Sequence, residues 1–388
     1  MPRTRTNSAT QSIFVGPTPS TGGHYLSGLN SKVFRRSNIA AAPTTGLVQE
    51  ILRVQDYNLS FNFDNQPVNQ FGDLAPIDYV ATNPPTVNLS FSYLLSNMNN
   101  EKILGFTLCS GNLVGAISGI LAKTADDKNY FLETVTEGQD LHAVNSTTTS
   151  TLGVGNGFIT NYQLNAAVGQ FPTVSIDVQG AACKVDSSFS GTNPAINTLN
   201  GTQLTNNFYE LPTGSFSTTN ISGLTTNGNL LSISTLRPGD VSFSLDYAAL
   251  GASTTDWKVQ SVNLAIPFNR EDLNQLGSRF AIAREITPPI NATMSVNAIV
   301  GDFVTGSIYD LFTNCGSNGY NGQLAFRNPC DTTQNVAAYI MKGMTLSSHE
   351  YTSSVGGNQT VTMNFIIPVG GAAATGTNIF FSGLAVAG

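Results

Sequence analysis

Histidine, cysteine and carboxylate spacing decide first what chemistry a chain can do. The three histidines, His24, His142 and His349, lie far apart, and none belongs to an HExxH pair or another evenly spaced metal-binding pattern. Histidines placed this way are expected in loops or facing solvent. The four cysteines, Cys109, Cys183, Cys315 and Cys330, form no CxxC pair. They are expected as free, buried thiols of a reduced compartment; Cys315 and Cys330 flank a Gly/Asn-rich loop and would pair only in an oxidising setting. Gly153-Val-Gly-Asn-Gly157 is glycine-rich but lacks the lysine and the helix that phosphate binding requires. Asp126, Asp127, Glu133, Glu137 and Asp140 crowd carboxylates into a short stretch, yet their spacing matches no calcium loop and reads as a solvated acidic patch. No nucleophile with a base and no paired acid emerges. The expectation is a protein that is not an enzyme, with no catalytic residue, no metal and no cofactor.

The elements around these residues point to assembly. In 388 residues only 11% are charged, against roughly a quarter in an average soluble protein. With 22 Phe and 12 Tyr the chain can build a core, so general disorder is not expected. Few charges with much Ser, Thr and Asn suits an all-β protein whose polar faces meet other protein. Residues 1–49 hold five basic side chains, Arg3, Arg5, Lys32, Arg35 and Arg36, and no acid. The remaining 12 basic and 24 acidic residues leave a body of net charge -12. An acidic body grips nucleic acid poorly and makes a non-stick surface for it. The opening MPRTRTNSATQ has no apolar core of a secretory leader. Ile103–Ala122 is uncharged with Gly111, Gly115 and Gly119 at GxxxG spacing, but its Thr, Ser and Asn content favours a buried packing segment over a membrane span.

An internal repeat organises the chain. Val54, Gln55, Asn58, Leu59, Phe63, Asn69, Gln70 and Gly72 recur, at a constant spacing of 205 residues, as Val259, Gln260, Asn263, Leu264, Phe268, Asn274, Gln275 and Gly277. Each copy reaches a proline pair, Pro84-Pro85 or Pro288-Pro289, and then an alternating strand. A second echo sets Val168, Gly169, Thr173 and Val174 against Val355, Gly356, Thr360 and Val361 at a spacing of 187. Each unit reads as a strand with one face on a core, a turn at Asn-Gln-Phe/Leu-Gly, a second strand entered from the prolines, and a hairpin turning at Gly169 or Gly356. Short helices are expected at Asn99–Phe106 and, in the equivalent place, at Gly306–Phe312. The organisation expected is a basic N-terminal arm over 1–45, a first domain over 46–180, a linker or insertion over 181–225, and a second domain over 226–388. Arg270, Glu271 and Asp272 occupy the turn region where the first copy has Asn65, Gln66 and Pro67, so this region reads as a subunit contact, not as a catalytic site.

The strand, the polar turn ending in Leu276-Gly-Ser-Arg279, Arg284-Glu-Ile-Thr-Pro-Pro-Ile290 and the alternating strand after it resemble the tail-tube protein family of long-tailed bacteriophages. The opening Gln11-Ser-Ile-Phe-Val-Gly-Pro-Thr-Pro-Ser-Thr-Gly-Gly-His24 is similar to the start of phage structural proteins of this type. The resemblance covers both repeats and fades over 181–225; most members carry one such domain, and here there are two. It implies two tandem β-sandwich or small-barrel domains, each with a short flanking helix. It also implies a virion protein, made in the bacterial cytoplasm, whose rings stack into the conduit through which viral DNA is ejected. Two domains per chain would make three chains complete a pseudo-sixfold ring. The partners implied are the chain itself, the tail proteins at neck and tip, and DNA in transit without sequence preference; no membrane is implied. Asn69, Gln70 and Gly72, with Asn274, Gln275 and Gly277, are the expected subunit contacts. A neck, distal-tail or baseplate ring of the same fold is the alternative, and a tail-tip adhesin a more distant one.

Overall fold

The computed structural model describes residues 11–17, 49–109, 114–122, 126–135, 150–186, 193–197, 202–203, 236–246, 258–277, 280–281, 283–300, 319–328, 331–371 and 374–383. Antiparallel strands dominate it. In the first half they are β1 (Gln11–Pro17), β2 (Gln49–Ile51), β3 (Val54–Asn62), β4 (Asn65–Val68), β5 (Asp78–Ala81), β6 (Thr86–Leu94), β7 (Lys128–Thr134), β8 (Ser150–Ala167), β9 (Thr173–Gly180) and β10 (Ala182–Asp186), followed by the short pair β11 (Ile196–Asn197) and β12 (Thr202–Gln203). The second half holds β13 (Val241–Leu245), β14 (Lys258–Pro267), β15 (Arg270–Leu273), β16 (Ala283–Ile286), β17 (Asn291–Ile299), β18 (Tyr320–Asn328), β19 (Asp331–Thr352), β20 (Thr360–Pro368) and β21 (Asn378–Gly383). Alternation explains the central strands: Val87, Leu89, Phe91 and Tyr93 of β6 are buried, while the residues between them are half-buried or exposed. The proline pairs stand at the entries of β6 and β17, where no ladder donor is lost.

The repeat is written into the pairing. In the first half β3 pairs with β6, β6 with β9, β9 with β8 and β8 with β7. In the second, β14 pairs with β17, β17 with β20, β20 with β19 and β19 with β18. Even the irregularities recur. The bulge between Val54 and Asp56 has its counterpart between Val259 and Ser261, and the one between Ile159 and Asn161 its counterpart between Leu346 and Ser348. A bulge re-aims and twists a strand, so matching bulges give the two sheets matching curvature.

The halves are joined edge to edge. Asn161–Ala167 of β8 carries β9 on one side and β14 on the other, which makes one path β3-β6-β9-β8-β14-β17-β20-β19. A single apolar core underlies both halves. Where they meet, Phe106, Tyr162, Tyr339 and Phe381 form an aromatic cluster with ring centroids 4.8 to 5.5 Å apart. Helix α1 (Asn99–Leu104) stands where the sequence predicts it, and α2 (Ser118–Leu121) follows; Gly306–Phe312 lies outside the described residues. The uncharged segment packs as expected: Leu104, Phe106, Ala116, Ile117 and Ile120 are buried, and Ala116 N–H donates to the Ile379 carbonyl of the second half at 2.8 Å. No described helix is long and apolar enough to cross a membrane. Residues 11–17, inside the stretch read as an arm, are strand β1 on β7, with Ile13, Phe14 and Val15 buried. Residues 182–186, inside the stretch read as a linker, are β10 on β8.

Candidate functional site

The junction between the halves is built from β14 laid along β8, with Val262 opposite Ala166, Leu264 opposite Leu164 and Ile266 opposite Tyr162. Ile266 and, just past the strand, Phe268 are 0% and 1% exposed, and Phe268 sits 6.3 Å from the Phe106 ring of the first half. The β15–β16 hairpin then folds back over the first half. Arg270 donates through Nη1 and Nη2 to both Asp126 carboxylate oxygens at 3.0 and 2.5 Å, and through Nε to the Ile159 carbonyl at 3.1 Å. Arg284 pairs with Asp272 at 2.9 Å and donates to the Gln179 carbonyl at 3.2 Å. Both guanidiniums face the Phe158 ring, 4.9 and 6.0 Å from its centroid. Two sequence readings are corrected here. Asp126 is not part of a solvated patch: it is a buried partner of Arg270. Arg270 and Asp272 lie in strand β15, not in a turn, where Arg270 pairs with Asp126 and Asp272 with Arg284.

The same junction is left half-made at each end of the sheet. Among the described residues strand β3, the counterpart of β14, pairs with β6 alone, and no described strand lies along its outer edge. Phe61 and Phe63 hold the places of Ile266 and Phe268, yet they are 64% and 54% exposed. They point to the core side of β3, as Tyr57 and Leu59 do, but reach past the core of their own half. The alternation that predicts a buried face for β3 therefore holds at Tyr57 and Leu59 and fails at the two phenylalanines. At the far end, Thr345–Thr352 of β19 pairs among the described residues with β20 alone, while in the counterpart stretch of β8 Asn161–Asn165 is flanked by both β9 and β14. Positions buried in the first half are half-buried here: Tyr162 is buried and His349 half-buried, Leu164 is buried and Tyr351 half-buried. No family model matches the chain, and no curated protein matches it.

One face of the eight-strand path is mostly polar. Between Asp56 and Asn62 in β3, between Ser261 and Pro267 in β14, and along the paired stretches of the other six strands, its outward positions are mostly Ser, Thr, Asn and Gln. They cross-link one another: Asn297 donates to Thr362 at 3.0 Å, Asn364 to Ser348 at 2.8 Å, and Asn161 to Asp177 at 3.2 Å. Asp56, Asp177 and Glu350 are the acidic groups on this face, and Lys258, at the start of β14 opposite Ile299, is the cation at its margin.

Among the described residues no group of three or more His, Cys, Asp or Glu is placed to hold a metal ion. His349 is on a strand instead of a loop, half-buried with its ring centroid 4.7 Å from that of Tyr351. Cys109 is a buried free thiol as expected, whereas Cys183 is free but exposed, on the outward side of β10. His24, His142, Glu137, Asp140, Cys315 and Cys330 lie outside the described residues.

A buried carboxyl sits at the seam, unmarked by any sequence signal. Glu101 of α1 accepts from the Tyr93 hydroxyl at 2.8 Å and from Tyr162 at 3.4 Å, and Tyr162 is 2.7 Å from the Tyr339 hydroxyl of the second half. Burial raises the Glu101 carboxyl from 4.5 to about 7, against the hydroxyl hydrogen bonds that favour its charge. A folded-state value above the unfolded one means that stability from the neutral form is full below 4.5 and is lost as pH rises towards about 7. The loss corresponds to about 3 kcal/mol. Glu101→Gln is expected to flatten denaturant stability measured between about pH 5 and about pH 7.5; parallel curves for the two proteins would show that another group titrates.

The expected subunit contacts occupy two hairpin tips. Asn69, Gln70 and Gly72 end the β4–β5 hairpin, Asn274, Gln275 and Gly277 end β15–β16, and all six are exposed. Gly72 and Gly277 have φ of 97° and 87°, as a turn glycine must. No atom lies within 4 Å of a Cβ placed on Gly72, so its substitution strains only the backbone. Gly72→Ala is expected to cost the hairpin about 1 kcal/mol, a roughly fivefold faster amide exchange in β4 and β5 with core protection unchanged. Unaltered exchange would mean that the tip relaxes freely. Beside these tips stand Phe71, Leu74 and Leu276, each fully exposed.

Proposed function

We propose that this protein is a self-assembling structural component of a virion, the tube subunit of a long-tailed bacteriophage, whose copies close into rings that stack into a conduit for DNA. The observation that carries the assembly is the contrast between equivalent residues. Ile266 and Phe268 are 0% and 1% exposed where the second half meets the first, while Phe61 and Phe63 are 64% and 54% exposed at the edge where no described strand meets the first. An open edge of the β14 kind at one end and an open edge of the β8 kind at the other make a head-to-tail surface, and head-to-tail contacts build closed rings or open filaments. Two sheet repeats per chain support three chains for a ring of six repeats.

The exposed tips with Phe71, Leu74 and Leu276 serve ring-to-ring contact in this reading. The polar face, carrying Asp56, Asp177 and Glu350 against Lys258 at its margin, lines the conduit and gives DNA phosphates little to grip. The resemblance of the repeat to tail-tube proteins supplies the biological setting, the neck and tip proteins as further partners, and the virion as the location. Negative-stain electron microscopy of the purified protein across a concentration series tests the reading. Hollow tubes with a regular ring repeat are expected; particles the size of one chain at every concentration would overturn it.

A further inference from the structure

We infer that copies join through β3 and the β4–β5 hairpin of one chain laid on β19 and β20 of the next, in the register of the internal junction but with an apolar clasp in place of the ionic one. This rests on the assembly reading above and names the surfaces and the chemistry that would carry it.

The register follows from the two spacings. The internal pairs Asn263–Asn165, Leu264–Leu164 and Ile266–Tyr162 translate into Asn58 opposite Thr352, Leu59 opposite Tyr351 and Phe61 opposite His349 of a second copy. The bulges that recur in β3 and β19 keep both strands in step with their models in β14 and β8. Inward residues thereby meet inward residues, so Phe61 and Phe63 enter an apolar layer beside Leu346 and Tyr351, both half-buried and packed against the core at this end.

The clasp is where the two junctions differ. Hairpin β4–β5 repeats β15–β16 pair for pair, but Asn65 replaces Arg270, Pro67 replaces Asp272 and Tyr79 replaces Arg284. On the receiving side, Thr345 stands for Phe158 and Ile366 for Gln179. Tyr79 is 62% and Ile366 38% exposed in the single chain, and both become covered if the hairpin folds over the next copy as β15–β16 folds over the first half. Every ionic group that seals the internal junction from the hairpin side is thus absent from the open one, and an aromatic–aliphatic contact takes its place. The chemistry tells the two junctions apart: a chain offered its own second hairpin has Arg270 for Asp126, while a neighbouring chain offers a tyrosine suited to Ile366.

Cysteine cross-linking tests the register. Asn58→Cys with Thr352→Cys, in a Cys183→Ser background, is expected to form a ladder of covalent chains under mild oxidation with diamide, whereas Asn58→Cys with Glu350→Cys, shifted by two residues on the same face, is not. Ile366→Asp is expected to raise the concentration needed for assembly by at least tenfold while leaving monomer melting unchanged. Assembly without a ladder from the first pair, or equal ladders from both pairs, would overturn the register and leave the assembly reading standing. Single chains at every concentration with no ladder from either pair would overturn both, and undiminished assembly of Ile366→Asp would overturn the clasp.

Discussion

Changing Phe61 and Phe63 together to aspartate is expected to leave a folded monomer that no longer assembles. The two rings touch each other edge to face with centroids 5.9 Å apart and are more than half exposed, so the single chain loses little when they go. In the proposed assembly the same rings would take the buried places of Ile266 and Phe268. Burying an aromatic or aliphatic side chain is worth about 1.5–3 kcal/mol, so the pair contributes at least about 3 kcal/mol to each contact between copies, more than a hundredfold in its equilibrium constant. Two aspartates add the penalty of unpaired charge in an apolar layer. Sedimentation velocity across a concentration series reads the outcome, with circular dichroism melting as the check on folding. The internal control reverses the result: aspartates at Ile266 and Phe268 are expected to unfold the protein, because the core they enter belongs to the single chain. Assembly that survives aspartates at Phe61 and Phe63 would remove the assembly role assigned to the open edge.

How much of this was legible in the sequence depends on the range of each interaction. Alternation is local, so β3, β6, β14, β17 and β20 could be read directly, and their identical order in two places exposed the repeat. The tips were legible for the same reason: Asn-Gln-Phe-Gly and Asn-Gln-Leu-Gly demand a turn with glycine at positive φ, and Gly72 and Gly277 have it. Burial was not legible where it depends on the neighbour. Phe63 and Phe268 occupy the same place in the repeat with the same residue, and only the presence of a preceding half distinguishes them. The Arg270–Asp126 pair joins residues 144 positions apart, and each alone looks like an ordinary surface charge. Glu101, in Asn-Asn-Glu-Lys-Ile-Leu, reads as the polar side of a short helix; its burial follows from packing against Tyr93 and Tyr162, which no local pattern encodes.

The shared core also bears on the order in which the chain can become stable. Phe106 from the first half touches Phe268 and Phe381 from the second, and Tyr162 touches Tyr339, so the second half completes a surface that the first half leaves open. The second half cannot offer the same service to its own far end, because the chain holds no third repeat among its described residues. In the proposed assembly that asymmetry turns the internal duplication into a head-to-tail edge.

Arg270→Ala is expected to destabilise the junction strongly. Its side chain is 2% exposed and that of Asp126 8%, so removing the guanidinium strands a carboxylate away from water. Breaking a buried pair by deleting one partner costs about 3–5 kcal/mol, well above the ordinary effect of a point substitution. Arg270→Lys keeps the charge but loses the two-pronged contact and the Ile159 carbonyl bond, so its loss should be smaller and still clear. The double change Arg270→Met with Asp126→Leu removes both charges and is expected to recover most of the stability, since a buried pair gains little over apolar groups of similar volume. Denaturant midpoints for the three proteins decide the matter. If the alanine variant matches the wild type, the pair is exposed in solution; if the double variant is as weak as the alanine variant, the damage comes from lost packing over Phe158, whose ring centroid lies 4.9 Å from the guanidinium, and not from a stranded charge.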